Sequence, residues 1–301
     1  MFTLAHLSDV HLAPLPTPAL YQLLSKRALG YVNWRRRRSR HRRDVLDRVV
    51  GDLLEKELNH IAVTGDLVNI ALPEEFVAAR LWLDSLGEPE AVTVVPGNHD
   101  AYVPFLRDRG IQQWQPYMLA NEKGLPFANG YQHAFPFVRI FGEIALICLS
   151  SARATMPAMA SGRLGQRQMH RTSEILAQLG RQGYCRIVLI HHPPLPGMTP
   201  WQRALHDAAA FREILVEHGA ELVLHGHNHR AMIARLAAKS GTVAIVGAPS
   251  ASFASDEPIK SAGYNLLEIS SHGTAQWRIS MRSRIFNLEG RMSEEHQTLL
   301  P

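Results

Sequence analysis

Cysteine is scarce in this chain: among 301 residues only Cys148 and Cys185 occur, both in or beside apolar, strand-like runs. That excludes a small scaffold held by disulfides and predicts two buried thiols in a reducing compartment. Apolar runs are short. None approaches the roughly 18 consecutive residues that a membrane-spanning helix needs. The amino terminus has no basic region followed by a long apolar stretch and a small-residue cleavage site, so no signal peptide is expected and a cytoplasmic location is. With 46% hydrophobic and 20% charged residues, neither a disordered chain nor a collagen-like repeat fits.

Acidic residues are missing from one place in particular. Between Lys26 and Arg43 there are nine Lys/Arg and no Asp or Glu. The remainder holds 23 basic and 27 acidic side chains, so the net charge of +5 belongs to that one segment.

What the chain does contain is strand and helix in alternation. A helical period starts at Val45 and runs to Leu58, followed by the apolar run Ile61 to Thr64. A helix is expected near Pro73 to Leu86 and a strand at Ala91 to Val95. A Pro/Gly/Asn-rich stretch from Pro96 to Ala134 has room for two short helices. Strands at Phe137 to Phe141 and Ile144 to Leu149 flank Gly142-Glu143 as a hairpin. Gln166 to Gln182 reads as a helix, Arg186 to Ile190 as a strand and Leu205 to Glu217 as a helix. After Leu224 short strands dominate. The pattern predicts an α/β fold of two packed sheets flanked by helices. Residues 1–285 would form one domain, 19–43 a basic amphipathic insertion and 286–301 a polar tail that frays.

Five short motifs fall at the ends of expected strands: Asp9-x-His11, Gly65-Asp66, Gly97-Asn98-His99-Asp100, His191-His192-Pro193 and Gly226-His227-Asn228-His229. Singly, each is a turn, a cap or a core histidine. Jointly they supply carboxylates (Asp9, Asp66), an amide oxygen (Asn98) and imidazoles (His11, His191, His227, His229). This mixture suits Mn, Fe or Zn better than Ca or a thiolate cluster. Seven donors exceed one ion and divide between two, with one carboxylate bridging.

In order and spacing these motifs resemble the calcineurin-like metallophosphoesterases, over Phe2 to about Ile269. The resemblance implies a four-layer αββα sandwich of two mixed sheets, with metals at the loop ends of the strands. It implies that Asp9, His11 and His229 hold one metal, Asn98, His191 and His227 the other, and that Asp66 bridges. His99 would face the substrate phosphate with Asp100 orienting it, and a metal-bridging hydroxide would attack phosphorus in line. His192 is expected beside the ligands or against substrate. Where many members carry a second Asp, three residues after Gly-Asp, this chain has Asn69, a departure that bears on the hydrogen bonds around the ligands.

Substrate is approached through the basic segment. Leu20, Leu23, Leu24, Ala28, Tyr31 and Val32 fall at helical spacing, followed by Trp34 and Arg35 to Arg38. Starting eight residues after His11, the segment should lie beside the metals, either as an ordinary amphipathic helix or as an element touching anionic lipid headgroups. Three readings follow. The first is a phosphodiesterase acting on a small diester, resembling the bacterial cyclic-nucleotide members of the family. The second is a pyrophosphatase cleaving a nucleotide-linked lipid of the UDP-diacylglucosamine type, working peripherally on the inner membrane face. The third, a nuclease or nucleic-acid-binding protein, ranks last because the extra DNA-binding regions of such members are missing here.

Overall fold

The computed structural model describes all residues except 105–109, 129–134, 256, 274–275, 288–289 and 301. In chain order the elements are β1 (Phe2–Leu7), α1 (Arg27–Arg37), α2 (Arg43–Leu54), β2 (His60–Val63), α3 (Pro73–Leu86), β3 (Val92–Val94), β4 (Phe137–Phe141), β5 (Ile144–Cys148), α4 (Gln166–Arg181), β6 (Cys185–Leu189), α5 (Ala208–His218), β7 (Leu222–His225), β8 (Met232–Ala238), β9 (Gly241–Gly247), β10 (Gly263–Ser271), β11 (Trp277–Phe286) and β12 (Met292–Leu300). Short 3-10 turns cover Leu20–Leu23, Gly110–Met118 and Glu122–Ala128.

Two six-stranded mixed sheets result, ordered β12-β11-β10-β1-β2-β3 and β4-β5-β6-β7-β9-β8. Strands β1, β2 and β3 run parallel, as do β5, β6, β7 and β9. Alternation along β5 to β7 explains the layering. Leu146, Cys148, Ile187, Leu189, Leu222 and Leu224 join the core shared with the first sheet. Their neighbours Ala145, Ile147, Val188, Ile190 and Val223 pack with Ile175 and Leu179 of α4 and Phe211 and Leu215 of α5. A strand buried on both faces reads as a continuous apolar run, as these do. Helices α2 and α3 cover the other side of the first sheet through Leu46, Val49, Phe76 and Leu83. The α/β sandwich expected from the sequence is what forms.

Both thiols are free and buried; they sit on neighbouring strands but four residues apart in register, since Cys148 pairs with Leu189 and Cys185 with Ile144.

The carboxyl-terminal segment departs from expectation. Instead of fraying, Met292–Leu300 forms β12 and pairs with β11 along the sheet edge. Its polarity is that of an edge strand with one side in water: Glu294 lies 3.9 and 4.0 Å from Arg282 and Arg284, while Leu300 is buried. Charged side chains on an edge also discourage pairing with other chains. The basic segment departs too. Its apolar residues do not form one continuous helix, for a 3-10 turn precedes α1, which starts only at Arg27.

Candidate metal centre

All five motifs lie at the carboxyl ends of parallel strands. Asp9 and His11 follow β1, Asp66 follows β2, and Asn98, His99 and Asp100 follow β3. From the other sheet come His191 and His192 after β6 and His227 and His229 after β7. The loops are held to one another by main-chain bonds, Asp9 N to Gly65 O at 3.0 Å and His11 N to Asp66 O at 2.9 Å. They approach so closely that a Cβ on Gly97 would overlap the Asp66 carboxylate, and one on Gly226 would overlap Ser8 Oγ.

Backbone strain concentrates here. Seven non-glycine residues among those described have a left-handed φ, and five are Asp9, His11, Asp66, His227 and His229. Each such conformation costs an L-residue roughly 1–2 kcal/mol. It persists where the surroundings over-determine it, which is characteristic of functional sites.

Hydrogen bonds fix which atom each side chain presents. His11 donates Nδ1–H to Val68 O at 3.2 Å, and His191 donates Nδ1–H to Thr64 O at 2.7 Å, so both turn Nε2 inward. Asp66 Oδ1 accepts from His99 N at 2.7 Å. Its Oδ2 lies 3.3 Å from His191 Nε2 and 3.9 Å from His11 Nε2, between the two halves of the site. Asp9 Oδ2 accepts from His227 N at 2.9 Å, leaving Oδ1 3.1 Å from His229 Nε2. Asn98 Oδ1 is 3.2 Å from His191 Nε2.

Donor atoms of Asp9, His11, Asp66 and His229 all fall within 4.8 Å of one another, as do those of Asp66, His191 and His227, and Asp66 belongs to both groups. Ring nitrogens face ring nitrogens at 3.2 Å (His227 Nδ1 to His191 Nε2) and 3.4 Å (His11 Nε2 to His229 Nε2). His227 Nε2 is buried without a hydrogen bond. Lone pairs directed at one another in a buried carboxylate and imidazole cluster fit cations, which would satisfy every one of them.

The electrostatics agree with that fit. Burial alone would lower His191, but the Asp66 carboxylate outweighs it and raises the imidazole to about 9. Burial likewise opposes ionisation of Asp66, yet His191 holds it well below the usual carboxylate range. His229 is raised by Asp9 against its own burial, and His227 is driven well down by burial and by His192.

One expectation needs correction. Asp100 does not orient the ring of His99. Its buried carboxylate accepts from Asp66 N and Gly97 N at 2.8 Å, Leu67 N at 2.9 Å and Val68 N at 3.2 Å, gathering the loops that carry Asp66 and Asn98. The carbonyl of Asn69 does the orienting, accepting from His99 Nδ1. His192 takes the first of the two places expected for it, beside the ligands, with its ring centroid 4.5 Å from that of His227. Its Nε2–H donates to Ala160 O at 3.0 Å and Nδ1 accepts from Ser151 at 2.7 Å, and burial lowers its pKa to about 3.

Asn69 turns out to be required as an amide. Its Nδ2 donates to Leu12 O at 2.8 Å and to Glu75 Oε1 at 3.2 Å, and the buried Glu75 also accepts from the amides of residues 69, 70 and 72 at the start of α3. Burial raises Glu75 already. Asn69→Asp sets a second carboxylate against it, and we expect about 3 kcal/mol lower unfolding free energy in thermal melts.

Sequence reasoning missed His41, whose ring centroid lies 4.5 Å from that of His11 and 5.5 Å from that of His229. Embedded in an arginine run, it reads as part of a charged surface. Only the pairing of His41 with Phe253 and its 2.9 Å bond to Ser252 Oγ bring it to the site.

Above the donors opens a cavity of about 510 Å³. His11, Asn98, His99 and His229 form its floor, and Leu29, Gly30 and Trp34 of α1 line it with Tyr102, Met159 and Arg203. The loop after β3 contributes Tyr102 to this lining, and the loop between β6 and α5 contributes Arg203.

The family model described as calcineurin-like phosphoesterase matches residues 2–231. The chain belongs to that family. As a member it is a metal-dependent phosphoester hydrolase, with Asp and His clusters able to hold metal. A curated relative of this phosphoesterase, from Synechococcus sp., is a probable cyclic nucleotide phosphodiesterase, 28% identical over 234 residues that cover 76% of this chain and 78% of the relative. Among solved structures, a dimetal phosphatase from Danio rerio shares the fold with a TM-score of 0.56 at 14% identity, over 97% of this chain and 98% of that one. Purple acid phosphatase PPD1 from yellow lupin (Lupinus luteus) seeds gives a TM-score of 0.57 at 14% identity, covering 98% of this phosphoesterase and 53% of the lupin chain.

Proposed function

We propose that this phosphoesterase is a two-metal phosphodiesterase, and the observation that carries the reading is Asp66 standing in both donor groups. Asp9, His11 and His229 would hold one metal and Asn98, His191 and His227 the other, with Asp66 shared. Ions of the Mn, Fe or Zn type would supply an activated water and neutralise phosphate oxygens. The chain supplies the rest. His99, with Nδ1 committed to Asn69 O, keeps Nε2 for the oxygen that leaves phosphorus. Asp100 keeps the donor loops in register, and α1 walls the cavity above the donors with Leu29, Gly30 and Trp34.

The first substrate class is a small phosphodiester such as a cyclic nucleotide, the activity named for the Synechococcus relative. A pyrophosphate in a nucleotide-linked lipid is the second, favoured by the apolar walls of Leu29, Trp34 and Met159 above the donors. Metal-reconstituted protein is expected to hydrolyse bis-p-nitrophenyl phosphate faster than p-nitrophenyl phosphate, with Asn98→Ala inactive on both. Preference for the monoester would make the enzyme a phosphatase instead.

Lys26 gives substrate binding a pH dependence. Its ammonium bonds Thr155 Oγ1 and Met159 O at 2.8 Å and lies 4.4 Å from the Tyr102 ring, lining the cavity. Burial lowers it to about 8, so the charge is present below that pH and lost above it. KM for an anionic diester should therefore rise roughly tenfold between about pH 7 and 9. Lys26→Met should give a KM that is already high and does not change over that range.

A further inference from the structure

One face of α1 is fully employed. Tyr31 and Trp34 stack at 6.2 Å and pack on Leu15, Ile70 and Leu72, and a Cβ on Gly30 would press on Tyr102 and Ile70. The helix is therefore a seated roof of the cavity and not a loose arm. Outside that face the helix leaves apolar side chains open: Leu29 and Val32 are 42% and 45% exposed, and in the turn before it Leu20, Tyr21 and Leu24 are 86%, 74% and 86% exposed.

Two distant segments extend this surface. Lys26 ties the base of α1 to Thr155 and Met159, and Ala160 N bonds Gln202 O at 2.9 Å. Those bonds set Met156, 75% exposed, and Trp201, 66% exposed, in the loops adjoining α1 and the cavity. Seven of the fourteen exposed large apolar side chains among the described residues thus lie on α1, on the turn before it or on the loops that carry Met159 and Arg203 to the cavity, and Leu29 lines the cavity itself. Exposed apolar patches of this kind mark interaction surfaces.

The charge beside the patch selects the partner. No Asp or Glu occurs between His11 and Asp44, and Arg35, Arg36, Arg38 and Arg40 are exposed at the far end of α1. Arg42 and Arg43 differ, being paired with Asp44 and Asp47. Leucine, tyrosine and tryptophan to enter the acyl boundary, with arginines to meet headgroup phosphates, are the two halves of an interfacial element. A nucleic-acid backbone would use the arginines and leave the leucines in water.

We infer that the mouth of the metal cleft docks on an anionic phospholipid bilayer, turning the cavity toward the headgroup layer. The inference holds whichever phosphoester is cleaved.

Sedimentation with phosphatidylcholine vesicles, with and without phosphatidylglycerol, tests it on the full chain. The protein should pellet with the anionic vesicles and stay in solution with the neutral ones. Arg35→Gln/Arg36→Gln/Arg38→Gln should weaken partition by roughly a hundredfold, and Leu20→Ser/Leu24→Ser by at least about tenfold. Both variants should keep wild-type turnover of bis-p-nitrophenyl phosphate in solution, which shows them folded and reports on the active site separately from docking. Failure to pellet with anionic vesicles, equal pelleting with neutral ones, or variants that pellet like wild type would overturn the inference. So would retention on duplex DNA without vesicle binding.

Discussion

Asp66→Asn is expected to lower turnover of bis-p-nitrophenyl phosphate by about three orders of magnitude, equivalent to roughly 4 kcal/mol of transition-state stabilisation. The substitution is isosteric, and an amide oxygen can still accept from His99 N as Asp66 Oδ1 does at 2.7 Å. What disappears is the anionic Oδ2 that stands between His191 and His11. An amide there offers the two donor groups no shared charge, so bound metal should fall below two ions per chain. The fold should survive, because the loop amides are gathered by Asp100 and not by Asp66. Metal analysis of dialysed protein alongside the rate separates the outcomes. A variant with full metal content and near-normal turnover would show that Asp66 does not join the two groups.

The second large effect is on metal uptake. In the metal-free protein Asp66 outweighs burial and raises His191 to about 9, so at neutral pH this imidazole is protonated and paired. A metal ion needs the lone pair on Nε2, and the proton must leave first. Below about pH 9, apparent affinity should therefore fall about tenfold per pH unit as pH decreases, or roughly a hundredfold from pH 8 to 6. His229, raised by Asp9, adds a second proton at the other group. Titration calorimetry in buffers of different ionisation enthalpy counts the protons released. Affinity independent of pH would mean that these imidazoles are not ligands. The same pair has the opposite consequence for metal-free stability. Its contribution is complete below the ordinary histidine range near 6.5 and is lost as pH rises through about 9.

The residues that matter most to chemistry were legible because chemistry restricts residue type. Carboxylate, amide and imidazole in five strand-end motifs can be read without coordinates, and so can the alternation that makes β5 to β7 buried on both faces. Helix α3 was legible over its full length from Pro73, a natural first helical residue. Less legible was anything that depends on which polar atom faces which. Asp100 and His192 carry the same residue types as the candidate metal donors beside them, but four backbone amides claim the one and Ser151 and Ala160 the other.

By itself, then, the sequence placed candidate donors at five strand ends and showed the alternation of an α/β fold, which follow from local residue type and period, and the reaction class came with the family that the motifs resemble. Tertiary structure alone decided the rest. It put His41 beside His11 across a gap of thirty residues, and made an apparent tail into the edge strand β12. It also split the apolar residues of the basic segment between a face seated on the core and a face left open at the cleft. Those outcomes depend on which surfaces meet when distant segments pack, and hydrophobic spacing along a chain records that a face is apolar without recording what covers it.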